Sequence, residues 1–313
     1  MRDRQKLLVV NEFHPETIAR LDDLYQTKKL WLVPEAEQAD YVRDLGDTCE
    51  AVATASWATN ALIYQLPALK IIACFGVGVD GINFNTTRSR HILVTNTPGV
   101  LDDAVADIAL ALVLATQRNL VVADAYARSG TWLNGPFPFG RSLAGKTLGI
   151  LGLGNIGQAI VQRAVPFRLQ IAYHNRRPKD RLPYTYFATP TGLARHSDIL
   201  LCMLPGGDAT RCLVNAEVLQ ALGPEGVFIN VGRGSTVDDV ALVEALRSGT
   251  IAGAGLDVYS NEPHVPQALT AMDNVVLLPH IGSATTETRR AMGQLVIDNL
   301  TAWSAGTTPP TPV

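Results

Sequence analysis

Residues 149–157 read GILGLGNIG, directly after Thr147 and Leu148 and directly before the run QAIVQRAV. The glycines Gly152, Gly154 and Gly157 have the spacing G-x-G-x-x-G, with an apolar strand-like run on one side and an amphipathic helix-like run on the other. In that setting each glycine has a physical task. The first permits the tight turn, the second lets the backbone approach a pyrophosphate, and the third lets helix and strand pack closely. The helix N-terminus then presents unpaired N–H groups to the anion. The stretch therefore predicts the first β-turn-α of a dinucleotide-binding sheet.

The pattern on either side agrees. Downstream, TLGIL, LQIAY, DILLCML, GVFINV, AGAGLDV and NVVLL are six strand-like runs separated by helix-sized intervals. Upstream, LLVV (7–10), LWLV (30–33), AVAT (51–54), IIAC (71–74) and ILVT (92–95) have the same rhythm. Such continuous apolar runs are the mark of parallel strands buried on both faces. The Ala-rich segment from Asp102 to Asn119 breaks the rhythm and reads as one connecting helix, with two acidic residues at its start. A second amphipathic helix is expected over Glu287–Trp303, followed by a frayed GTTPPTPV tail. The expected fold class is α/β, with two doubly wound parallel-sheet domains. A Rossmann NAD(P)-binding domain (99–286) is inserted in a flavodoxin-like substrate domain (1–98 and 287–313).

Composition narrows the partners. The chain has 313 residues, enough for two cores at roughly 150 residues per domain. A formal net charge of −3, with 18% charged residues, lacks the field of a nucleic-acid or membrane-surface binder, which leaves a small molecule. The opening apolar run Leu7–Val10 is far too short for a signal peptide or a membrane span, so a cytoplasmic location is expected. Cys49, Cys74, Cys202 and Cys212 have no C-x-x-C pairing and read as ordinary thiols, with no metal site expected.

The cofactor can be narrowed further. A sheet that binds NAD places an acidic residue about 20 residues beyond the first glycine, on the ribose hydroxyls. Here that place holds His174-Asn175-Arg176-Arg177. A carboxylate would repel a 2′-phosphate, whereas Arg176 or Arg177 can pair with it, and His174 or Asn175 can bond the ribose. NADPH is expected to be preferred, with NAD possible at lower preference.

Hydride transfer from a nicotinamide to a carbonyl compound needs an acid to protonate the developing alkoxide, and an anionic substrate needs a cationic or N–H clamp. Arg233 follows GVFINV and His280 follows VVLLP, so both lie where ligands bind in open α/β sheets. The glycines on either side of Arg233, Gly232 and Gly234, point to a close backbone approach. Four segments, FGVGVDGIN (75–83), GILGLGNIG (149–157), NVGRGSTVD (230–238) and AGLDVYSNEP (254–263) with LLPHIGSAT (277–285), together resemble the D-isomer-specific 2-hydroxyacid dehydrogenase family. YHNRR and PHIGSAT are most similar to its glyoxylate/hydroxypyruvate reductase branch.

The resemblance implies catalytic roles for Arg233, Glu262 and His280. Arg233 holds the carboxylate, His280 donates the proton, and Glu262 orients His280 and favours its imidazolium. It implies that Asp257 accepts from the nicotinamide carboxamide. Further cofactor contacts are implied for Asn155, Ile156, Leu204, Pro205, Thr210, Val231, Gly232 and Gly282, and for Arg233 and His280 beside their substrate roles. The Val77 and Gly78 N–H groups would take the substrate carboxylate, and Ser56 and Trp57 would sense substrate size, although Trp57 reads equally well as core. Asp80 is expected to brace its loop. Related dimers exchange the region around Trp132, so a homodimer burying residues 102–140 is expected. Two domains are expected to close over the cofactor. Alternatives within the class are 2-ketogluconate, phosphoglycerate and phosphite dehydrogenases. A nucleotide-sensing co-repressor-like protein is the alternative outside it.

Overall fold

Residues 4–55 and 59–313 are described by a computed structural model, in which the chain divides into two units. The first comprises 1–101 and 285–313, and the second 102–284.

In the first unit β1 (Lys6–Val9), β2 (Gln26–Lys29), β3 (Cys49–Ala55), β4 (Ile71–Phe75) and β5 (Leu93–Thr95) form a parallel sheet in the order β2-β1-β3-β4-β5. This is the flavodoxin-like order, with its reversal between β1 and β3. The inner strands are apolar on both faces: Leu7, Leu8, Val52, Ile71 and Ile72 are fully buried. The edge strand departs from expectation. LWLV does not form β2; the polar segment QTKK does, and Leu30–Leu32 is a 3-10 turn beyond it. An edge strand pairs on one side only, so lysines suit it. Leu30 drops into the core from the turn while Leu32 faces solvent.

The helix Thr286–Ser304 packs on β4. The tail beyond it is not frayed. It turns back along β5, with Val313 N–H donating to the Val94 carbonyl and Pro312 bridging antiparallel to Thr95. Proline cannot continue a helix, but it is tolerated beside an edge strand.

The second unit holds β6 (Thr147–Leu151), β7 (Gln170–His174), β8 (Thr185–Tyr186), β9 (Ile199–Cys202), β10 (Val227–Asn230), β11 (Gly253–Leu256) and β12 (Val275–Leu277). All pair in parallel, in the order β12-β11-β10-β9-β6-β7-β8. The six expected runs are all strands. β8 was not foreseen, because two residues leave no periodic signal. Strand order reverses between β6 and β9, so the glycine loop after β6 opens at the switch point, where a crevice forms.

The helix Asp102–Gln117 buries Val105, Ala106, Ala109, Leu112 and Val113. It ends two residues before the expected Asn119, which is left-handed (φ 51°), and a second helix, Leu120–Arg128, leaves at 61° to the first. Among the described residues no single helix is long and apolar enough to cross a membrane. The first helix lies against β11, where residue 255 is glycine: a Cβ there would come within 2.8 Å of Thr116 Oγ1 and 2.9 Å of Ile229 Cδ1. A Gly255→Val chain should accordingly lose about 1–3 kcal/mol of stability by overpacking. Thermal unfolding would register this as a fall in Tm, and an unchanged Tm would show that helix and strand are not tightly packed.

Candidate active site

The glycine loop is built as its spacing demands. Gly152 has φ 96°, and a Cβ on it would come within 2.7 Å of the Met203 carbonyl. A Cβ on Gly157 would come within 2.7 Å of the Gly152 carbonyl, so the helix Asn155–Ala164 starts hard against its own loop. Gly154 meets nothing within 4 Å, and it is exposed together with Asn155. Two glycines are thus crowded by protein, while the one assigned to pyrophosphate approach faces open space. Ile156 is half-buried in the first turn of the helix.

The segment after β7 divides into two pairs. His174 Nδ1 is 2.9 Å from the Phe187 carbonyl, which only accepts, so that nitrogen carries a proton. Asn175 Oδ1 accepts from the Leu153 N–H at 2.7 Å and ties this segment to the glycine loop. Arg176 and Arg177 are exposed beyond them. The loops after β9 and β10 touch: a Cβ on Gly232 would come within 2.7 Å of the Leu204 carbonyl. Thr210 Oγ1 donates to the Pro205 carbonyl at 2.7 Å and closes the β9 loop, and Val231 is buried at the end of β10.

Three charged side chains come from the strand ends of this unit. Arg233 follows β10, with its backbone carbonyl taking Asn230 Nδ2 at 3.0 Å and Thr236 Oγ1 at 2.6 Å. The neighbouring glycine explains the spacing: a Cβ on Gly234 would lie 1.8 Å from the Tyr259 carbonyl carbon. Only glycine lets the Arg233 loop lie on the backbone that leads to Glu262. Glu262 accepts from the Tyr259 N–H through Oε1 at 3.0 Å and meets His280 Nδ1 through Oε2 at 2.6 Å.

Burial by itself would push the Glu262 carboxyl up. The His280 hydrogen bond, the Tyr259 amide and the charges of His280 and Arg233 outweigh burial and hold it below its ordinary value. Glu262 is therefore ionised across the neutral range, and the proton between the pair resides on Nδ1. With Nδ1 turned to Glu262, Nε2 is the His280 nitrogen on the other side of the ring.

His280 has φ 53°, a left-handed conformation costly for a side chain of this size. Both flanks are held. Tyr259 Oη donates to the Leu278 carbonyl at 2.9 Å, and burial, with Asp257 close by, pushes its hydroxyl up to about 12. Asp257, 1% exposed, accepts from the Ile281 N–H at 2.7 Å and the Gly282 N–H at 2.8 Å. Burial raises the Asp257 carboxyl, against the lowering effect of those amides and of His280. Sequence reasoning gave Asp257 a ligand-holding role and missed this bracing. It missed Tyr259 altogether, although a buried tyrosine just beyond a strand needs a partner for its hydroxyl.

The remaining expected residues belong to the first unit. Val77 and Gly78 are half-buried in the loop after β4, and Asp80 is exposed beyond them. Ser56 and Trp57 lie outside the described residues.

The chain as a whole is similar to known proteins. Residues 110–282 match the model of the D-isomer specific 2-hydroxyacid dehydrogenase, NAD binding domain. A glyoxylate/hydroxypyruvate reductase A of Arabidopsis thaliana is 47% identical over 263 residues, 84% of each chain. A glyoxylate reductase of Thermococcus litoralis is 39% identical over 98% of this chain and 96% of its own. The crystal structure of an NADPH-dependent glyoxylate/hydroxypyruvate reductase from Sinorhizobium meliloti, in complex with NADP and malonate, superposes with a TM-score of 0.91 at 45% identity, covering 99% of this chain and 97% of the other. On the strength of the family match, these identities and the shared fold, the chain belongs to the D-isomer specific 2-hydroxyacid dehydrogenase family, in its glyoxylate/hydroxypyruvate reductase-like branch.

Proposed function

We propose that this protein is an NADPH-preferring reductase that converts small 2-oxo acids of the glyoxylate and hydroxypyruvate type to D-2-hydroxy acids. The observation that carries the reading is the 2.6 Å pair between Glu262 and His280, with the charge of Arg233 felt at Glu262. A proton donor with its orienting carboxylate and a cation for the substrate carboxylate are what this reduction requires of a protein. A sensor of nucleotides alone would not need them.

When bound, NADPH supplies the hydride. Gly152, Gly154 and Gly157, the first turn Asn155–Ile156, and Leu204, Pro205, Thr210, Val231, Gly232, Asp257 and Gly282 would hold it. Arg176 and Arg177 would take the 2′-phosphate, as exposed cations where an NAD enzyme has an acid. Arg233 and the Val77 and Gly78 amides bind the substrate carboxylate. His280 Nε2 then gives its proton to the oxygen on C2, and the ionised Glu262 stabilises the imidazolium that precedes transfer. Ser56 and Trp57 set the size of acid accepted.

Two further features belong to the proposal. The four free thiols suit a reducing, cytoplasmic setting, with a small acid rather than nucleic acid or membrane as partner. A homodimer is supported by exposed apolar side chains on one segment of the second unit: Val121, Trp132, Leu133 and Phe139, the last two essentially bare.

Three outcomes are expected. Purified enzyme should oxidise NADPH with glyoxylate or hydroxypyruvate more efficiently than NADH, and an Arg176→Ala/Arg177→Ala chain should lose about tenfold or more of that preference. No turnover across a panel of 2-oxo acids, with NADPH still bound tightly, would sink the reading. In Glu262→Gln the imidazolium loses its anionic partner, so the reductive kcat/KM should begin to fall at a lower pH than in the parent. The sign follows from the depressed Glu262 carboxyl: its support is present at neutral pH and vanishes only as acid protonates it. A pH–rate profile unchanged by the substitution would remove Glu262 from the mechanism. Sedimentation at micromolar concentration should show a dimer, which Leu133→Asp with Phe139→Asp weakens; a monomeric parent would overturn that expectation.

A further inference from the structure

The loop Gly76-Val77-Gly78 is held from one side by the segment that ends β5. The Thr97 N–H donates to the Gly76 carbonyl at 3.0 Å, and Thr97 Oγ1 takes the Gly76 N–H at 3.0 Å. Asn96 Nδ2 donates to the Val77 carbonyl at 2.8 Å. Among the described residues the cis peptide bond is Glu262–Pro263, so both peptide units of this loop are trans. In a trans peptide the carbonyl and the N–H of one unit point in opposite directions. Tying the Gly76 carbonyl to Thr97 therefore turns the Val77 N–H away from the end of β5. Tying the Val77 carbonyl to Asn96 does the same for the Gly78 N–H. Neither amide is given an acceptor among the described residues.

Asn96 is itself held by residues distant in sequence. Its N–H donates to the Thr311 carbonyl at 3.2 Å, and its carbonyl accepts from Thr311 Oγ1 at 2.6 Å. Thr311 is fixed by Asn299, which is 1% exposed on the helix Thr286–Ser304. The Thr311 N–H donates to Asn299 Oδ1 at 3.1 Å, and Asn299 Nδ2 donates to Thr311 Oγ1 at 2.8 Å and to the Asn96 carbonyl at 3.4 Å. A buried asparagine thus commits both amide protons and its carbonyl oxygen to one threonine and one loop. Beyond Thr311, Pro312 and Val313 fasten the tail along β5.

We propose that Asn96, supported by Thr311 of the tail and Asn299 of the last helix, is a positioning residue that aims the Val77 and Gly78 amides for capture of the substrate carboxylate. The proposal deepens the reductase reading and rests on it for the identity of the ligand. Loss of the Asn96 amide frees the Val77–Gly78 peptide to rotate, which spreads the aim of the Gly78 N–H. Affinity for the acid falls, while the glycine loop in the other unit is untouched.

The test compares Asn96→Ala, Thr311→Val and Thr311→Ser with the parent, reading glyoxylate kinetics, NADPH affinity by fluorescence titration, and amide hydrogen exchange over residues 76–79. Asn96→Ala should raise KM for glyoxylate about tenfold with NADPH affinity within about twofold, because ground-state capture of the acid is what is lost. Thr311→Val should follow in the same direction by about threefold, and Thr311→Ser, which keeps the hydroxyl, should match the parent. Exchange over 76–79 should be faster in the first two variants. A glyoxylate KM unchanged in folded Asn96→Ala, parallel loss of NADPH affinity, or exchange over 76–79 as slow as in the parent would each overturn the proposal. Exchange is read without substrate, so the two readings fail separately. A parent that reduces no 2-oxo acid refutes the reductase assignment, while faster exchange in the variants still supports the brace.

Discussion

The second unit depends on a carboxylate placed against an imidazole at the ends of two neighbouring strands, Glu262 after β11 and His280 after β12. A contact of 2.6 Å between two half-buried titratable groups is costly to assemble, because each must shed water before it gains the other. The structure offsets that cost with backbone. The Tyr259 N–H donates to the second carboxylate oxygen, and the Arg233 loop brings a positive charge close enough to favour the anion. The loop can come that near because residue 234 has no side chain. One missing Cβ thereby links the Arg233 loop to the carboxylate that is paired with His280.

Asp257 shows how a buried charge can serve geometry. Its two oxygens each accept a backbone N–H just beyond His280, and the Tyr259 hydroxyl holds the carbonyl two residues before it. Between these fixed points His280 is kept in a left-handed conformation that an unconstrained loop would abandon. The strain is sustained by at least three hydrogen bonds, each worth about 0.5–1.5 kcal/mol net and more where an ionised group accepts. The imidazole is therefore directed by its backbone as well as by Glu262. Each carboxylate oxygen retains a second lone pair, so bracing the loop and accepting from a carboxamide are compatible for Asp257.

Legibility in the sequence followed burial. Strands apolar on both faces, β3, β4, β6, β9 and β10, announce themselves as continuous runs, and the order of helices and strands follows from them. The edges did not, since an edge strand needs little apolar sequence: QTKK pairs with β1 while the more hydrophobic LWLV turns away. β8 is too short to leave a pattern. The tail was misjudged because its prolines exclude a helix but not an extended strap held by Asn299. At the site, Arg233 and His280 could be named from type and place, and a resemblance supplied Glu262 with its pairing to His280. The bracing by Asp257, Tyr259 and Asn96 could not be read, because it joins side chains to backbone atoms that any residue type would offer.

The same distinction bears on cofactor choice. Specificity between two nucleotides that differ by one phosphate is a difference of affinities, and it can come from attraction to one or exclusion of the other. The segment after β7 contains both elements. His174 and Asn175 are committed to holding the Phe187 carbonyl and the Leu153 amide, so the strand end keeps its shape without the carboxylate that would accept ribose hydroxyls and repel a 2′-phosphate. Arg176 and Arg177 add attraction from an exposed position, where salt screens them and their individual worth is modest. In the proposed preference for NADPH, the hydrogen-bonded pair at 174–175 would thus contribute by what it omits. A substitution that only removed the arginines would leave that omission in place, so NADPH would lose its advantage without NADH gaining an acceptor for its ribose.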